Sequence, residues 1–172
     1  SFAQQDGNTG ISIAVVNIRE VFQNSKANEQ YKQQVMQEQQ KIMQEIKQLS
    51  QEIEAEKQGV QSFKAGSEEK QEATKELMMK QARLEAQKEF YQQQFSGKDK
   101  NWTEKLYQQV LQTVSEVAQE NGYDLVLEKD LPDLPSPNAQ ELMLTIRTDK
   151  VLYSEGLPDM TDQVISRVNE KE

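Results

Sequence analysis

The helical pattern in the middle of the chain is broken by Lys64-Ala65-Gly66-Ser67. Gly66 can adopt the left-handed backbone conformation that ends a helix, and Ser67 can cap the helix that follows. Two glutamates come next and suit the positive end of a helix dipole. The sequence therefore predicts two helices, over about residues 26–63 and 68–120, joined by a tip at residues 64–67.

The first of these helices has a narrow apolar seam. Its apolar side chains recur on a heptad in two rows: Val35, Ile42, Leu49 and Phe63 in one, and Ile46, Ile53 and Val60 in the other. A seam of this width is typical of a helix paired with another helix, not of one packed into a globular core. At ~1.5 Å per residue the helix would be about 55–60 Å long, too long for the rest of the chain to enclose.

Folding the two helices back on each other about Ala65 brings apolar positions into register. The facing pairs are Ile53 with Leu77, Ile46 with Leu84, and Val35 with Phe95. Other layers are mixed, since Leu49 faces Gln81. The pattern predicts an antiparallel hairpin that pairs along its length but bends, with a chance agreement of two heptads as the alternative.

Both ends of the chain carry short strand patterns. ISIAVV (11–16) is β-branched and YDLVLE (123–128) alternates, while LMLTIR (142–147) and VLY (151–153) can form a hairpin through residues 148–150. Residues 131–138 hold three prolines and predict a loop, and a last short helix begins at Asp159 or Thr161. The predicted fold class is α+β. Residues 1–10 form a flexible tail, 11–25 and 122–172 a small β body, and 26–121 the hairpin arm.

A body of a few short strands buries little surface and leaves strand edges open. We therefore expect an oligomer joined through the body. The strand residues expected at its contacts are Ile11, Ile13, Val15, Leu125, Leu127, Leu142 and Leu144.

Composition excludes several classes of function. The chain has no cysteine and no histidine, and its net charge is −9. The segment 26–96 is nearly neutral, with about 11 basic and 12 acidic residues, so the acidity lies in the C-terminal part. Without a basic stripe we expect no nucleic acid partner. Carboxylate pairs such as Glu52 with Glu56 lie on a polar helix face and are interpreted as solvated charge, so we expect no catalytic residue, metal site or cofactor.

The first residues, Ser1-Phe2-Ala3, fit the small-x-small pattern that precedes a signal-peptidase cut. The interpretation is an exported chain from which a signal peptide is removed, and an arbitrary chain start is the alternative.

Several segments together resemble the Skp/OmpH-like chaperones. The resemblance rests on the first strand and its turn (13–17, then Val21-Phe22-Gln23 and Ser25), the tip (64–67), the strand at 123–127 and the closing helix at 159–165. It runs from Ile11 to Val168 and depends on the order and spacing of these segments.

The resemblance implies a periplasmic homotrimer whose strands form a shared β barrel. It also implies that unfolded outer-membrane proteins are held, without ATP, in a cavity between the helical arms. Familiar members are strongly basic and this chain is acidic, so basic lipopolysaccharide contacts do not carry over. Peripheral membrane association stays open. The proline-rich segment 131–138 and the strand after it look like an insertion.

The candidate client-binding residues lie on the arms. Methionine is flexible and polarizable and suits a surface that meets many apolar sequences, whereas seam packing is the alternative. The candidates are Met36, Met43, Phe63, Met78 and Met79. A second group is interpreted mainly as packing of the arm root against Phe22 and Tyr31, with a cavity wall as the alternative. Its members are Tyr91, Phe95, Trp102, Leu106 and Tyr107.

Two other functions remain alternatives. A structural coiled-coil adaptor of the cell envelope would bind one folded partner tightly and protect nothing else. A prefoldin-like chaperone would build its coiled coil from the chain ends, whereas here the ends are strands.

Overall fold

A computed structural model describes residues 10–130, 135–148 and 151–171. Its elements, in order, are β1 (Ile13–Val16), α1 (Ile18–Gln23), α2 (Lys26–Gln61), α3 (Glu68–Asn121), β2 (Leu125–Glu128), α4 (Ala139–Thr148) and α5 (Thr161–Glu170). The chain divides into a hairpin unit, residues 31–103, and a body unit made of residues 1–30 and 104–172. The helices α2 and α3 run through both units.

Polar side chains fix where the helices begin. Asn17 Oδ1 accepts a hydrogen bond from the Glu20 amide at 2.9 Å, which starts α1. Ser25 and Ser67 do the same for α2 and α3, each through its hydroxyl and the amide three residues on, at 3.2 Å. Gly66 has φ +80° and Gly122 has φ +72°, so glycines stand where the chain takes the left-handed conformation after a helix.

The hairpin unit has a thin core. Ile53, Leu77 and Leu84 are buried there, and Ile46, Leu49 and Val60 pack against them. This cluster contains both members of the two facing pairs nearest the tip, so the antiparallel hairpin is confirmed. Leu49, which was expected to face Gln81, packs against the same cluster.

The body unit is built around β1. β1 and β2 are parallel, with Ile13 opposite Leu125 and Val16 opposite Glu128. On its other side, the Val15 amide donates to Pro158 O at 2.8 Å, and its carbonyl accepts from the Met160 amide at 2.9 Å. β1 is thus the middle of three extended segments.

The core of the body unit draws on both chain ends and on the last turns of α3. Ala14 and Val16 come from β1 and Val21 from α1, while α3 and the C-terminal segment supply the rest: Leu106, Val110, Val117, Ala118, Met160, Val164 and Val168. A parallel pair needs a long crossover between its strands, and the helices α2 and α3 form that crossover here. The α+β fold class, with a small sheet and a long helical hairpin, is confirmed.

Two predicted strands, which were expected to pair as a hairpin, are wrong. Residues 142–147 were expected to form a strand, but they lie in the helix α4. Asn138 Oδ1 accepts from the Glu141 amide at 2.9 Å and so caps the first turn. Ala139, Leu142, Met143 and Ile146 then share one helix face, a spacing that LMLTIR also allows. Residues 151–153 are not a strand either.

Parts of three other predictions lie outside the described residues. They are the tail at residues 1–9, the first half of the proline-rich loop at 131–134, and the turn at 149–150.

Candidate functional site

Large apolar side chains stand exposed along the hairpin unit. All five predicted client-binding residues are among them, and each is more than 40% exposed: Met36, Met43, Phe63, Met78 and Met79. Phe90, 60% exposed, belongs with them and was missed. It lies outside the seam, next to Tyr91, and its position off the heptad was the signal that could have found it.

These side chains do not form one pocket. Met36 and Met43 are seven residues apart and share one face of α2, because seven residues are nearly two full turns. Met78 and Met79 are adjacent on α3 and point about 100° apart. The structure therefore spreads the candidate residues over the hairpin surface.

A concavity of the hairpin unit runs along the first turns of α3. It is an open, mostly apolar groove of about 660 Å³. Its lining is formed by Gly66, Lys70, Gln71, Thr74, Lys75, Met78, Met79 and Ala82. Lysine can lay its methylene stem along such a surface while its ammonium group stays in water. The groove thus offers thioethers, methyl groups and methylene stems beside the tip.

Ion pairs cross the hairpin. Lys98 Nζ lies 2.6 Å from Glu38 Oε1, and Lys80 pairs with Glu56. The hydrogen bond to Glu56 raises the pKa of Lys80. Glu56, which the sequence predicted to be solvated charge together with Glu52, thus forms an ion pair between the two helices.

An aromatic stack joins the two helices at the end of the hairpin unit away from the tip. The rings of Tyr31 and Trp102 lie 4.7 Å apart and nearly parallel. The Tyr31 hydroxyl donates to Asp99 Oδ1 at 2.7 Å. Burial of the Tyr31 side chain is the main cause that raises its pKa to about 12, and the hydrogen bond to the Asp99 carboxylate is the next.

Within the body unit, Phe22 and Tyr107 are also in ring contact, at 6.5 Å. The expected packing of α3 aromatics against Phe22 and Tyr31 is present in these two pairs. Trp102 and Tyr107 therefore both pack against aromatic rings of the same chain.

Charged pairs attach α5 to α3 in the body unit. Both terminal nitrogens of Arg167 donate to the Glu120 carboxylate, at 2.9 and 2.8 Å, and Lys171 bonds to Glu116. These bonds lower the pKa of both glutamates. They hold in place the helix that supplies Val164 and Val168 to the core.

The residues expected at oligomer contacts differ in exposure. Ile11 (72%), Leu125 (44%) and Leu144 (62%) are exposed, Leu142 is less so, and Ile13 and Leu127 are half-buried. Val15 is fully buried inside its own chain, so it can contribute only by holding β1 in place.

The helix α4 also has an exposed apolar face. The helix has no buried residue, and Met143 and Ile146 are exposed beside Leu142. Leu152, 91% exposed, and Tyr153 follow a few residues later. The sequence did not predict Leu152 and Tyr153 as contact residues, because both were expected inside a β hairpin.

Within the described ranges, no three acidic side chains come together in a manner that could bind a metal ion. Nor does any helix in that part of the chain have the length and apolar character needed to cross a bilayer.

A small parallel sheet whose two strands are separated in sequence by a long antiparallel helical hairpin defines a class, that of coiled-coil-arm proteins. The family model for outer membrane protein (OmpH-like) matches residues 12–168, so the chain belongs to the OmpH-like family. No curated protein matches it significantly. Membership supports a chaperone-type role in the periplasm.

Proposed function

We propose that this chain is an ATP-independent periplasmic holdase that binds unfolded outer-membrane proteins and prevents their aggregation. The observation that carries the proposal is the hairpin unit itself, a long paired helix surface with many exposed methionine and phenylalanine side chains. Because these side chains are spread along both helices, they offer a client many separate apolar contacts, each weak alone but substantial together. Methionine adapts its shape to varied apolar partners, which suits clients of many sequences.

The holdase acts as a homotrimer joined through the body unit. β1 lies between β2 and the Pro158–Met160 segment, so the outer edge of β2 has no strand partner within the described ranges. An open edge pairs readily with another chain. The proposed contact residues on this surface are Ile11, Ile13, Leu125, Leu127, Leu142 and Leu144, with Val15 supporting β1. The hairpins of three subunits then enclose the client in a shared cavity.

The activity is tested by diluting an unfolded β-barrel membrane protein from denaturant into buffer without nucleotide. At one trimer per client we expect light scattering to stay near the baseline, because exposed client segments are covered before they meet each other. Scattering equal to that of the client alone would reject the holdase. Tight binding to a single folded envelope protein without such protection would instead support the structural adaptor.

Assembly is tested separately by multi-angle light scattering. The expected mass is about three times the chain mass of 19.8 kDa. A variant with Leu142→Gln and Leu144→Gln tests the contribution of α4 to the contact. A stable single subunit in dilute buffer would contradict the cavity.

A further inference from the structure

The charges of this chain are divided between its two units. Residues 31–103 contain 12 lysines and arginines and 12 aspartates and glutamates, so the hairpin unit has no net charge. Residues 1–30 and 104–172 contain 8 basic and 17 acidic residues and carry the whole charge of −9.

The hairpin unit is also neutral locally. Lys98 with Glu38 and Lys80 with Glu56 pair across the two helices. Other pairs lie three residues apart on one helix, with separations of 2.8–3.9 Å: Lys57 with Glu54, Lys75 with Glu72, and Lys88 with Glu85. Adjacent opposite charges cancel at a distance, so this unit projects little field toward an approaching chain.

Between these balanced charges the hairpin unit presents apolar and amide surface. Its exposed methionines and phenylalanines are uncharged contacts. In the groove beside the tip, Lys70 and Lys75 border the methionine thioethers, and Lys75 is paired with Glu72. Sixteen of its 73 residues are glutamine, whose side chain both donates and accepts hydrogen bonds. An unfolded backbone offers both kinds of group, whatever the charge of its side chains.

We propose that the hairpin unit selects unfolded segments by their aliphatic and aromatic content and is indifferent to their charge, so that acidic and basic clients are held equally. This inference rests on the proposed holdase function and specifies its substrate class. The groove along the first turns of α3 is the place where one apolar side chain of the client docks between the Met78 and Met79 thioethers.

The test uses the full chain and two disordered model polypeptides with identical apolar residues and equal but opposite net charge. Binding of each is measured by fluorescence anisotropy from about 0.01 to 1 M salt, over which the Debye length falls from about 30 to 3 Å. A four-site variant identifies the hairpin contribution: Met36→Gln, Met43→Gln, Met78→Gln and Met79→Gln. All four side chains are exposed, so circular dichroism should show the same helix content as the parent.

We expect the methionine-dependent part of the affinity to agree within about threefold for the two polypeptides and to stay constant with salt. Binding that survives in the four-site variant, favours the basic polypeptide and fades with salt belongs to the acidic body unit. A matched control replaces exposed glutamines of the same unit: Gln37→Asn, Gln44→Asn, Gln81→Asn and Gln94→Asn. This control should bind both polypeptides as the parent does.

A methionine-dependent affinity that differs by about tenfold or more between the polypeptides, or that falls steadily with salt, overturns charge indifference. The holdase survives that result if client aggregation is still suppressed. Absence of binding to both polypeptides, together with unchanged client scattering, removes the holdase proposal itself.

Discussion

At the scale of single residues, Gly66 is a position where the backbone conformation restricts the sequence. Its φ of +80° costs an L-residue about 1–2 kcal/mol, so Gly66→Ala should lower the free energy of unfolding by about that amount. Gly59, inside α2 and with open space around its Cα, provides the matched control. Gly59→Ala should raise stability by about 0.5–1 kcal/mol, because alanine favours the helix.

Urea unfolding followed by circular dichroism measures both substitutions. Effects of the same sign at the two glycines would show that the tip does not require the left-handed conformation. That result would also remove the physical reason for placing the reversal of the chain at residue 66.

A second residue, Tyr31, makes the free energy of unfolding depend on pH above about pH 10. Its pKa in the folded chain is about 12, above the ordinary value of 10.0. The folded state therefore holds the proton more tightly than the unfolded state, and the stabilisation is complete below pH 10 and lost as pH rises through 12. Tyr31→Phe should remove this part of the alkaline loss.

Tyrosinate absorbance measured against pH checks the assignment directly. The difference between the parent and the Tyr31→Phe variant should show one phenol titrating near pH 12. Asp99→Asn is the companion variant, because it removes the carboxylate while keeping an acceptor, and it should bring that titration closer to pH 10. A titration at the ordinary value in the parent would mean that the Tyr31–Trp102 stack does not persist in solution.

At the scale of elements, the hairpin depends on a few apolar layers. Leu77 is buried between α2 and α3 with Ile53, whereas its neighbour Met78 is exposed. Leu77→Ala should cost about 2 kcal/mol, at the low end of core truncations because the seam is thin and can partly close. Met78→Ala should change stability by less than about 0.5 kcal/mol.

Chemical unfolding of the Leu77→Ala and Met78→Ala variants measures the loss of unfolding free energy caused by each substitution. Equal losses would mean that the seam is not where the unit is held together. In that case the ion pairs across the hairpin, such as Lys98 with Glu38, would have to carry more of its stability than half-exposed pairs usually do.

The hairpin could be predicted from the sequence because its signals are local and repeated. Heptad spacing, Gly66 and Ser67 each point to the same turn, and the facing pair Ile53 with Leu77 follows from them. α4 was mistaken for a strand because LMLTIR satisfies alternation and helical spacing equally. The Asn138–Glu141 cap would have favoured the helix.

The pairing of strands could not be predicted from local pattern. Nothing in ISIAVV or YDLVLE specifies that the two strands lie parallel, or that the Pro158–Met160 segment bonds to the far side of β1. Such contacts join residues more than a hundred positions apart, and side-chain alternation does not encode the partner. The exposure of Phe90 and Leu152 likewise depends on what tertiary structure leaves uncovered.

At the scale of the whole molecule, the division of charge has two opposing effects on the proposed trimer. In that assembly, apolar contacts such as Leu125 and Leu144 would favour association of body units, and this contribution would change little with salt of moderate concentration. The acidic residues of three body units would repel one another, and this repulsion would be screened as the Debye length shortens from about 30 Å at 0.01 M to about 10 Å at 0.1 M salt. Assembly should therefore tighten as salt is raised.

Sedimentation of a dilute sample over this range of salt measures the effect as a rising fraction of trimer. A variant with three exposed body-unit glutamates neutralised, Glu128→Gln, Glu141→Gln and Glu170→Gln, should associate more tightly at low salt and respond less to added salt. The same number of substitutions in the hairpin unit, at Glu45, Glu69 and Glu76, is the control and should leave the salt response nearly unchanged. Dissociation on adding salt would contradict the argument, since it would mean that attractive ion pairs between subunits outweigh both the apolar contact and the repulsion of the acidic bodies.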